Sequence, residues 1–240
     1  MVHAENNGTP NGRNWLLALL PPADLALLSP YLKDVTVKQG ALLQEAGEPI
    51  DFVYFPHSGM ISVLAVMQSG NGIETATIGR EGAVNALAGF GVPNAAGRAV
   101  QQIEGTSSRI AASHFRTAVN DSAGIRDLIA RYTDLKMTQI LQSAGCNALH
   151  SVQARLCRWL LQTRDRADSD TLALTQEFLS EMLGVNRTTV TVLARALQDE
   201  GLINYRRGKV ALIDRPRLEK RVCECYAAVR RKTDVFFSTN

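Results

Sequence analysis

The segment that most constrains this chain runs from residue 175 to 197, where two short helices are predicted on either side of Gly184. Thr175 is a good N-cap for the first helix, and Gly184 tolerates the positive φ at which that helix must stop. Asn186 then caps the second helix, whose apolar positions repeat at helical spacing. Two helices joined in this way form a helix-turn-helix, whose second helix can lie in the DNA major groove.

The polar face of the second helix predicts contacts with DNA. Arg187 stands at its first position and can bond O6 and N7 of guanine with two parallel hydrogen bonds. Thr188 and Thr191 follow on the same face and can reach base edges or phosphates. The alternative is an ordinary helical hairpin with its polar residues in water. The DNA-binding residues predicted in this segment are Thr175, Gln176, Asn186, Arg187, Thr188, Thr189 and Thr191.

A hairpin is predicted directly after the second helix. Gly201 ends that helix, and two apolar strands then surround a tight basic turn. In this position the hairpin is a wing, whose tip would meet phosphates beside the groove. The alternative is a solvated surface turn. The basic residues of the predicted wing are Arg206, Arg207 and Lys209.

The charge distribution also favours a polyanion as partner of the C-terminal half. A chain of 240 residues suits two domains. Residues 1–145 hold 10 Lys/Arg and 12 Asp/Glu, whereas residues 146–240 hold 16 and 11. The basic excess therefore accompanies the helix-turn-helix, and double-stranded DNA is the expected partner.

The cysteines and the N-terminus predict a cytoplasmic protein without a metal. The four cysteines form no C-x-x-C pair and have no histidine cluster beside them in the sequence, so neither zinc nor a disulfide framework is expected. No signal peptide is apparent, and the apolar stretch Trp15–Leu20 is too short to cross a bilayer. We therefore expect no membrane partner and reduced thiols. These are Cys146, Cys157, Cys223 and Cys225.

The N-terminal half predicts a β jelly roll. Residues 1–14 are expected to be disordered, and residues 15–121 form the predicted effector-sensing domain. Many short apolar segments separated by Gly and Pro are typical of a sandwich or jelly roll, whose interior can hold a small ligand. Example strands are Val35–Val37, Phe52–Phe55, Met60–Val66, Glu74–Ile78 and Ala99–Ile103.

A long helix is predicted over residues 122–146, between the jelly roll and a winged helix-turn-helix domain at 147–240. Its apolar positions step by three and four, which favours a two-fold coiled-coil contact between two chains. The alternative is a helix packed only on its own domain. The predicted dimer interface consists of Ile125, Leu128, Ile129, Tyr132, Leu135 and Gln139.

This α+β order of jelly roll, long dimerisation helix and winged helix-turn-helix resembles the Crp–Fnr family of bacterial transcription regulators. The resemblance covers about residues 16–230, is strongest from Leu174 to Val210, and includes Gly79-Arg80-Glu81-Gly82. It implies a homodimer on a palindromic promoter site, a contact with RNA polymerase, and a sensory domain whose ligand varies. Many relatives carry glutamate and a further arginine where this chain has Thr188 and Val192, so a different half-site is expected. Here Val192 is expected to touch a thymine methyl group, and Arg195, two turns along the helix, a phosphate.

Departures from the family pattern bear on the effector. Members that sense cyclic AMP hold its phosphate with an Arg-Ser or Arg-Thr pair, but this chain has Asn94-Ala95-Ala96 there. A cyclic nucleotide is therefore possible but not favoured. No cysteine precedes Cys146, which excludes the family's iron–sulfur mode. His57 and His114 are interpreted as surface or capping residues rather than haem ligands. Residues of the possible effector pocket are Arg80, Glu81, Gly82 and Arg98.

Two other classes of protein compete with a regulator. A cupin-type enzyme would need two or three histidines and a glutamate converging on a metal, and the four histidines are scattered without an H-x-H. A jelly-roll binding protein without a DNA role would leave the wing and the basic C-terminal half unexplained. The sequence therefore predicts a DNA-binding regulator that is not an enzyme and has no resident cofactor.

Overall fold

The structure is a computed structural model that describes residues 14–167 and 169–238. The predicted disordered tail lies outside these residues except for Asn14, for which the prediction is wrong. Asn14 is fully buried and caps helix α1 (Trp15–Ala18). Its Nδ2 donates hydrogen bonds to the carbonyl oxygens of Pro56 and Gly82, at 2.9 and 2.7 Å. Helix α2 (Pro22–Leu28) follows, with proline at its first position.

Seven antiparallel strands in two sheets form the predicted jelly roll. One sheet has the order β1-β7-β3 and the other β2-β6-β4-β5. Every strand predicted above lies within an observed strand, and β2 and β7 are additional. The strands are β1 (Lys33–Val37), β2 (Leu42–Gln44), β3 (Phe52–Pro56), β4 (Met60–Val66), β5 (Gly72–Ile78), β6 (Arg98–Ile103) and β7 (Gly105–Ala111).

Two helices follow the jelly roll. Helix α3 (Ala112–Asp121) packs Phe115 against Phe55 of β3, with ring centroids 5.8 Å apart. The long helix α4 (Ala123–Leu149) is capped by the side chain of Ser122 and runs three residues past the predicted end at 146. It ends where His150 takes an extended conformation, with φ −104° and ψ 150°. The break at His150 joins the long helix to the C-terminal domain.

The C-terminal domain carries a helix-turn-helix and a three-stranded sheet. The sheet order is β8-β10-β9, and β8 was not predicted. None of the described helices is both long and apolar enough to span a bilayer. The elements are α5 (Val152–Ala167), β8 (Thr171–Ala173), α6 (Gln176–Leu183), α7 (Arg187–Asp199), β9 (Ile203–Arg206), β10 (Lys209–Leu212), α8 (Arg215–Glu219) and α9 (Cys225–Ser238).

The last helix, α9, belongs only in part to the DNA-binding unit predicted at residues 147–240. Tyr226 at its start joins the apolar cluster of that unit, and the helix then runs back along α4 and reaches the core of the jelly roll. Phe236 is buried in that core, and the ring of Phe237 meets Trp15 edge to face at 5.8 Å. In the chain, the winged domain is therefore preceded by α4 and followed by α9, and both of these helices contribute to the jelly-roll core.

The residues predicted for the dimer interface lie inside the chain's own core, so they cannot meet a partner. Each is at most 8% exposed in the single chain. Tyr132 accepts a hydrogen bond from the Ala83 N–H and donates one to the Ala83 carbonyl, and Gln139 donates to Thr77. This side of α4 covers the jelly roll. The prediction is wrong for Ile125, Leu128, Ile129, Tyr132, Leu135 and Gln139.

Candidate nucleic-acid interface

The helix-turn-helix owes its shape to three residues at the helix ends. The Thr175 hydroxyl accepts from the Phe178 N–H and starts α6. Gly184 ends α6 with φ 64°, a left-handed conformation that costs glycine little. The Asn186 side chain accepts from the Thr189 N–H at 2.8 Å and starts α7. These caps satisfy backbone N–H groups that the helices leave without partners.

A buried apolar cluster holds the two helices on the domain. Its members from α6 and α7 pack with Trp159 and Leu160 of α5 and with Leu202 before the wing. Trp159 is 1% exposed. Burial of a Leu or Val side chain contributes roughly 1.5–3 kcal/mol, so the core fixes which helix faces point outward. The buried members from the two helices are Leu179, Met182, Leu183, Val190, Ala194 and Leu197.

The opposite face of α7 is open to solvent. Arg187, Thr188 and Thr191 are exposed at its first two turns, and Thr191 donates to the Gln176 side chain and bonds the Arg187 carbonyl, both at 2.9 Å. Val192 is 62% exposed, so its methyl groups are open to contact from outside the domain. Beyond them, Arg195 projects into solvent, 4.0 Å from Asp199.

Three other predicted DNA-binding residues use their side chains for hydrogen bonds within the domain. They are Thr175, Asn186 and Thr189. The Asn186 side-chain oxygen also accepts from the Thr189 hydroxyl, at 2.8 Å. Thr175 caps α6, as described above. These three side chains stabilise the backbone of the motif. The exposed side chains of Arg187, Thr188 and Val192 are available to contact DNA.

The wing is a two-residue hairpin. Arg207 and Gly208 have φ 51° and 72°, the two positive values of a type I′ turn. Arg206 pairs with Lys209 across the ladder, so three cations lie at the tip. All three are exposed, and they border a shallow depression of about 410 Å³. The tip can therefore meet phosphates while α7 lies in the groove.

Comparison with known proteins identifies the C-terminal domain. The family model for the Crp-like helix-turn-helix domain matches residues 154–221. The chain therefore carries a Crp-like DNA-binding domain. No curated protein matches the sequence.

Several solved structures share this fold at low sequence identity. FixK2 from Bradyrhizobium japonicum is 16% identical with a TM-score of 0.67, over 80% of this chain and 98% of its own. A regulator of the crp/fnr family from Eubacterium rectale is 20% identical with a TM-score of 0.66, over 87% and 99%. The c-di-GMP responsive regulator CLP from Xanthomonas campestris is 16% identical with a TM-score of 0.66, over 81% and 100%.

The residues predicted for an effector pocket do not form one site in the regulator. Arg98 pairs with Glu45, its Nε lying 2.9 and 3.1 Å from the two carboxylate oxygens. Arg80 lies over the Trp15 ring at 4.9 Å. Gly82 packs so tightly that a Cβ there would meet the Tyr132 hydroxyl. Arg80 and Glu81 border a cleft of about 660 Å³ between the jelly roll and the C-terminal helices, and Arg98 does not.

Glu81 joins the jelly roll to α4 and to α5 of the C-terminal domain. Its Oε1 lies 3.0 Å from Arg166 Nε of α5 and 3.7 Å from Lys136 Nζ of α4, and its Oε2 accepts from the Gly79 N–H. Burial would raise the pKa of Glu81, but the two cations outweigh it and lower the pKa to about 2. Burial lowers the pKa of Lys136 to about 8. Sequence reasoning placed Glu81 in a pocket and missed both cations.

The DNA-binding domain also rests on the jelly roll through its turn. A Cβ at Gly184 would stand 3.0 Å from Cδ1 of Ile73 in β5. Gln39 Nε2 donates to the Ala173 carbonyl of β8 at 2.6 Å, and Met60 and Leu64 of β4 join the apolar cluster under the helix-turn-helix. The jelly roll and the DNA-binding domain are thus in direct contact.

A second group of side chains brings three of the cysteines together with a histidine, although the sequence shows no histidine cluster beside them. Ligand atoms of Cys146, His150, Cys223 and Cys225 all lie within 4.8 Å of one another. The group was not predicted from the sequence, because 77 residues separate Cys146 from Cys223. The available signals were Cys146-x₃-His150, which shares one helix face, and Cys223-x-Cys225. Cys157 lies apart, in the apolar cluster of the DNA-binding domain.

Proposed function

We propose that this regulator binds palindromic promoter DNA as a homodimer, with α7 in the major groove and the wing on the flanking phosphates. The observation that carries the proposal is the free polar face of α7, headed by Arg187 and followed by Thr188. Selection of binding sites from random duplexes tests it. We expect two inverted half-sites whose centres lie about 34 Å apart, or a multiple of that distance. A single asymmetric site would contradict the dimer.

A solvent-exposed stripe on α4 supports the homodimer. The stripe steps alternately by four and three residues, which is the 3.5-residue period of a coiled coil. Met137 is 52% exposed and Leu141 66%. Asp127 and Asp134 would repel their counterparts in a parallel pair, so the contact is placed in the C-terminal half of the helix. The exposed stripe consists of Ala123, Asp127, Ala130, Asp134, Met137, Leu141, Ala144 and Ala148.

Control by a small ligand is the second part of the proposal. The cleft beside Glu81 is bordered by side chains of both domains, including Arg164 and Arg230. A small anion that competed with Glu81 for Arg166 would weaken a contact between the jelly roll and the DNA-binding domain. Arg98 and Glu81 are both paired within the chain, which argues against a cyclic nucleotide as the effector. Contact with RNA polymerase is part of the proposal only through the family resemblance.

Native mass spectrometry of freshly purified protein tests both parts. We expect the mass of a dimer and, for ligand control, an organic adduct that dissociates on collisional activation. A monomer at micromolar concentration would contradict the homodimer. A dimer without any adduct would contradict control by a tightly held ligand.

Arg187→Ala is expected to weaken binding to the selected site by about 1–3 kcal/mol and to change binding to random duplex much less, because alanine cannot hydrogen-bond a base. Arg187→Lys is expected to recover only part of the affinity, since lysine cannot form the bidentate pair. Arg126→Ala, on the exposed N-terminal part of α4, serves as the control with an equal change in charge. Equal weakening on selected and random DNA would mean that Arg187 binds a phosphate.

The wing is expected to act on all duplexes alike. The variant Arg206→Ala, Arg207→Asn, Lys209→Ala removes its three cations, and asparagine preserves the positive φ at position 207. Binding should weaken without loss of sequence preference. The slope of log K against log salt should fall by about 0.9 for each phosphate that the wing no longer neutralises. Filter binding at several salt concentrations measures it, and an unchanged slope would place the wing outside the interface.

A further inference from the structure

The side chains at the junction of the long helix and the DNA-binding domain have the composition of a metal site. Cys146 and His150 lie one turn apart at the end of α4, Cys223 precedes α9, and Cys225 is its first residue. The three thiols are buried and unoxidised, and the imidazole is partly exposed. Three sulfurs and one imidazole nitrogen form one of the common ligand sets of structural zinc.

The distances fit one tetrahedral ion. Zn–S and Zn–N bonds of about 2.3 and 2.0 Å place two sulfurs about 3.8 Å apart and a sulfur and a nitrogen about 3.5 Å apart. Cys146 Sγ lies 3.5 Å from Cys223 Sγ, and Cys225 Sγ lies 3.5 Å from His150 Nδ1. A sulfur–sulfur distance of 3.5 Å also exceeds the roughly 2.05 Å of a disulfide. All four ligand atoms lie within 4.8 Å of one another, which suits a single ion.

Neighbouring groups supply the outer contacts that zinc ligands usually have. Glu224 Oε1 lies 3.1 Å from His150 Nε2, so this carboxylate can accept the imidazole proton and leave Nδ1 for the metal. Gln142 Nε2 donates to Cys225 Sγ at 3.1 Å. Arg155 and Arg158 of α5 lie within electrostatic range of Cys146, and each has a buried Nε without a hydrogen-bond partner among the described residues. Three thiolates on Zn²⁺ carry one net negative charge, which these cations would balance.

We propose that Cys146, His150, Cys223 and Cys225 bind one structural Zn²⁺ ion per chain. The ion would join the end of α4 to the start of α9, the two points between which the whole DNA-binding domain is inserted. It would also fix the break at His150. Arg155, beside the cluster, donates to the carbonyl of Leu183 at the end of α6, so the site is linked to the helix-turn-helix by one side chain.

Elemental analysis of the full-length protein, purified without chelator, tests the proposal. We expect about one equivalent of zinc per chain, and its loss in the double variant Cys223→Ser, Cys225→Ser. Cys157→Ala is the matched control and should retain the metal, because Cys157 lies outside the group. His150→Cys should also retain it, since four thiolates bind zinc equally well in structural sites. Zinc that persists in the double variant would overturn the assignment.

A second measurement uses the wild-type protein, so that its result does not depend on whether a variant folds. Chelator-treated wild-type protein is titrated with Co²⁺, and we expect the visible bands and thiolate charge-transfer absorption of tetrahedral cobalt, reversed by Zn²⁺. Glu224→Ala should weaken metal affinity about 10-fold, the lower end for an outer partner, because this carboxylate is exposed. Wild-type protein that binds neither ion, holds iron with sulfide, or carries a Cys146–Cys223 disulfide would overturn the proposal.

Discussion

Leu141→Lys is expected to dissociate the dimer while each chain stays folded. Leu141 is 66% exposed in the single chain, so lysine costs the isolated fold little, but two-fold symmetry places two ammonium groups in the proposed seam. Because each leucine contributes roughly 1.5–3 kcal/mol when buried, the dimer Kd should rise about 10²- to 10⁴-fold. Sedimentation should show monomers, and a mobility shift should show loss of the palindromic complex.

Leu128→Lys, on the same helix, is the matched control. Leu128 is 4% exposed and packs in the jelly-roll core, so the buried ammonium should destabilise each chain by at least about 3 kcal/mol. Circular dichroism melts separate the two results. If Leu141→Lys stays dimeric and binds the palindrome like the parent, the exposed stripe is not the interface.

Glu81→Gln is expected to lower the free energy of unfolding by about 3 kcal/mol at pH 7. The amide leaves Arg166 and Lys136 facing each other without a counter-charge, and both cations are at most 14% exposed. Adding Lys136→Met should recover part of the stability, because one of the unpaired cations is removed. Urea unfolding of the single and double variants measures the coupling. Full additivity of the two changes would contradict the ion cluster.

The stability that Glu81 contributes depends on pH because the pKa of its carboxyl group is low. Glu81 has a folded-state pKa of about 2 against an ordinary value of 4.5, so its stabilisation is complete above pH 4.5. It should decline as the pH falls from 4.5 towards 2, and the difference between wild type and Glu81→Gln should narrow over that range. Glu45→Gln is the control. Its pair with Arg98 is partly exposed and should contribute much less to stability, because solvent screens it.

The helix-turn-helix and wing could be predicted from the sequence because their determinants are local. Thr175, Gly184 and Asn186 each act within three residues of their own position. Gly208 follows Arg207 in a two-residue turn that the strands on either side already indicate. The boundaries, caps and outward face of such a motif therefore follow from neighbouring residues alone.

The proposed dimer face of α4 could not be predicted, because the helix carries two apolar stripes. One includes Leu128 and Leu135 and covers the jelly roll; the other includes Met137 and Leu141 and is exposed. Periodicity detects apolar positions but does not say whether they meet the same chain or a partner. The cysteine–histidine group could not be predicted either, because its members come from the two ends of the DNA-binding domain, 77 residues apart.

The return of α9 to the jelly roll has a consequence for the order of folding during synthesis. Phe236 completes a core that also contains Leu16 and Phe55, although α9 leaves the ribosome only after the entire DNA-binding domain. The winged domain draws its helices and strands from a continuous stretch of chain and can collapse as it emerges, at about 5–20 residues per second. The strands of the jelly roll are synthesised first, but its core is complete only after the winged domain has emerged. Until α9 arrives, the part of this core that Phe236 covers stays open to solvent, and apolar surface exposed in this interval favours aggregation of the nascent chain.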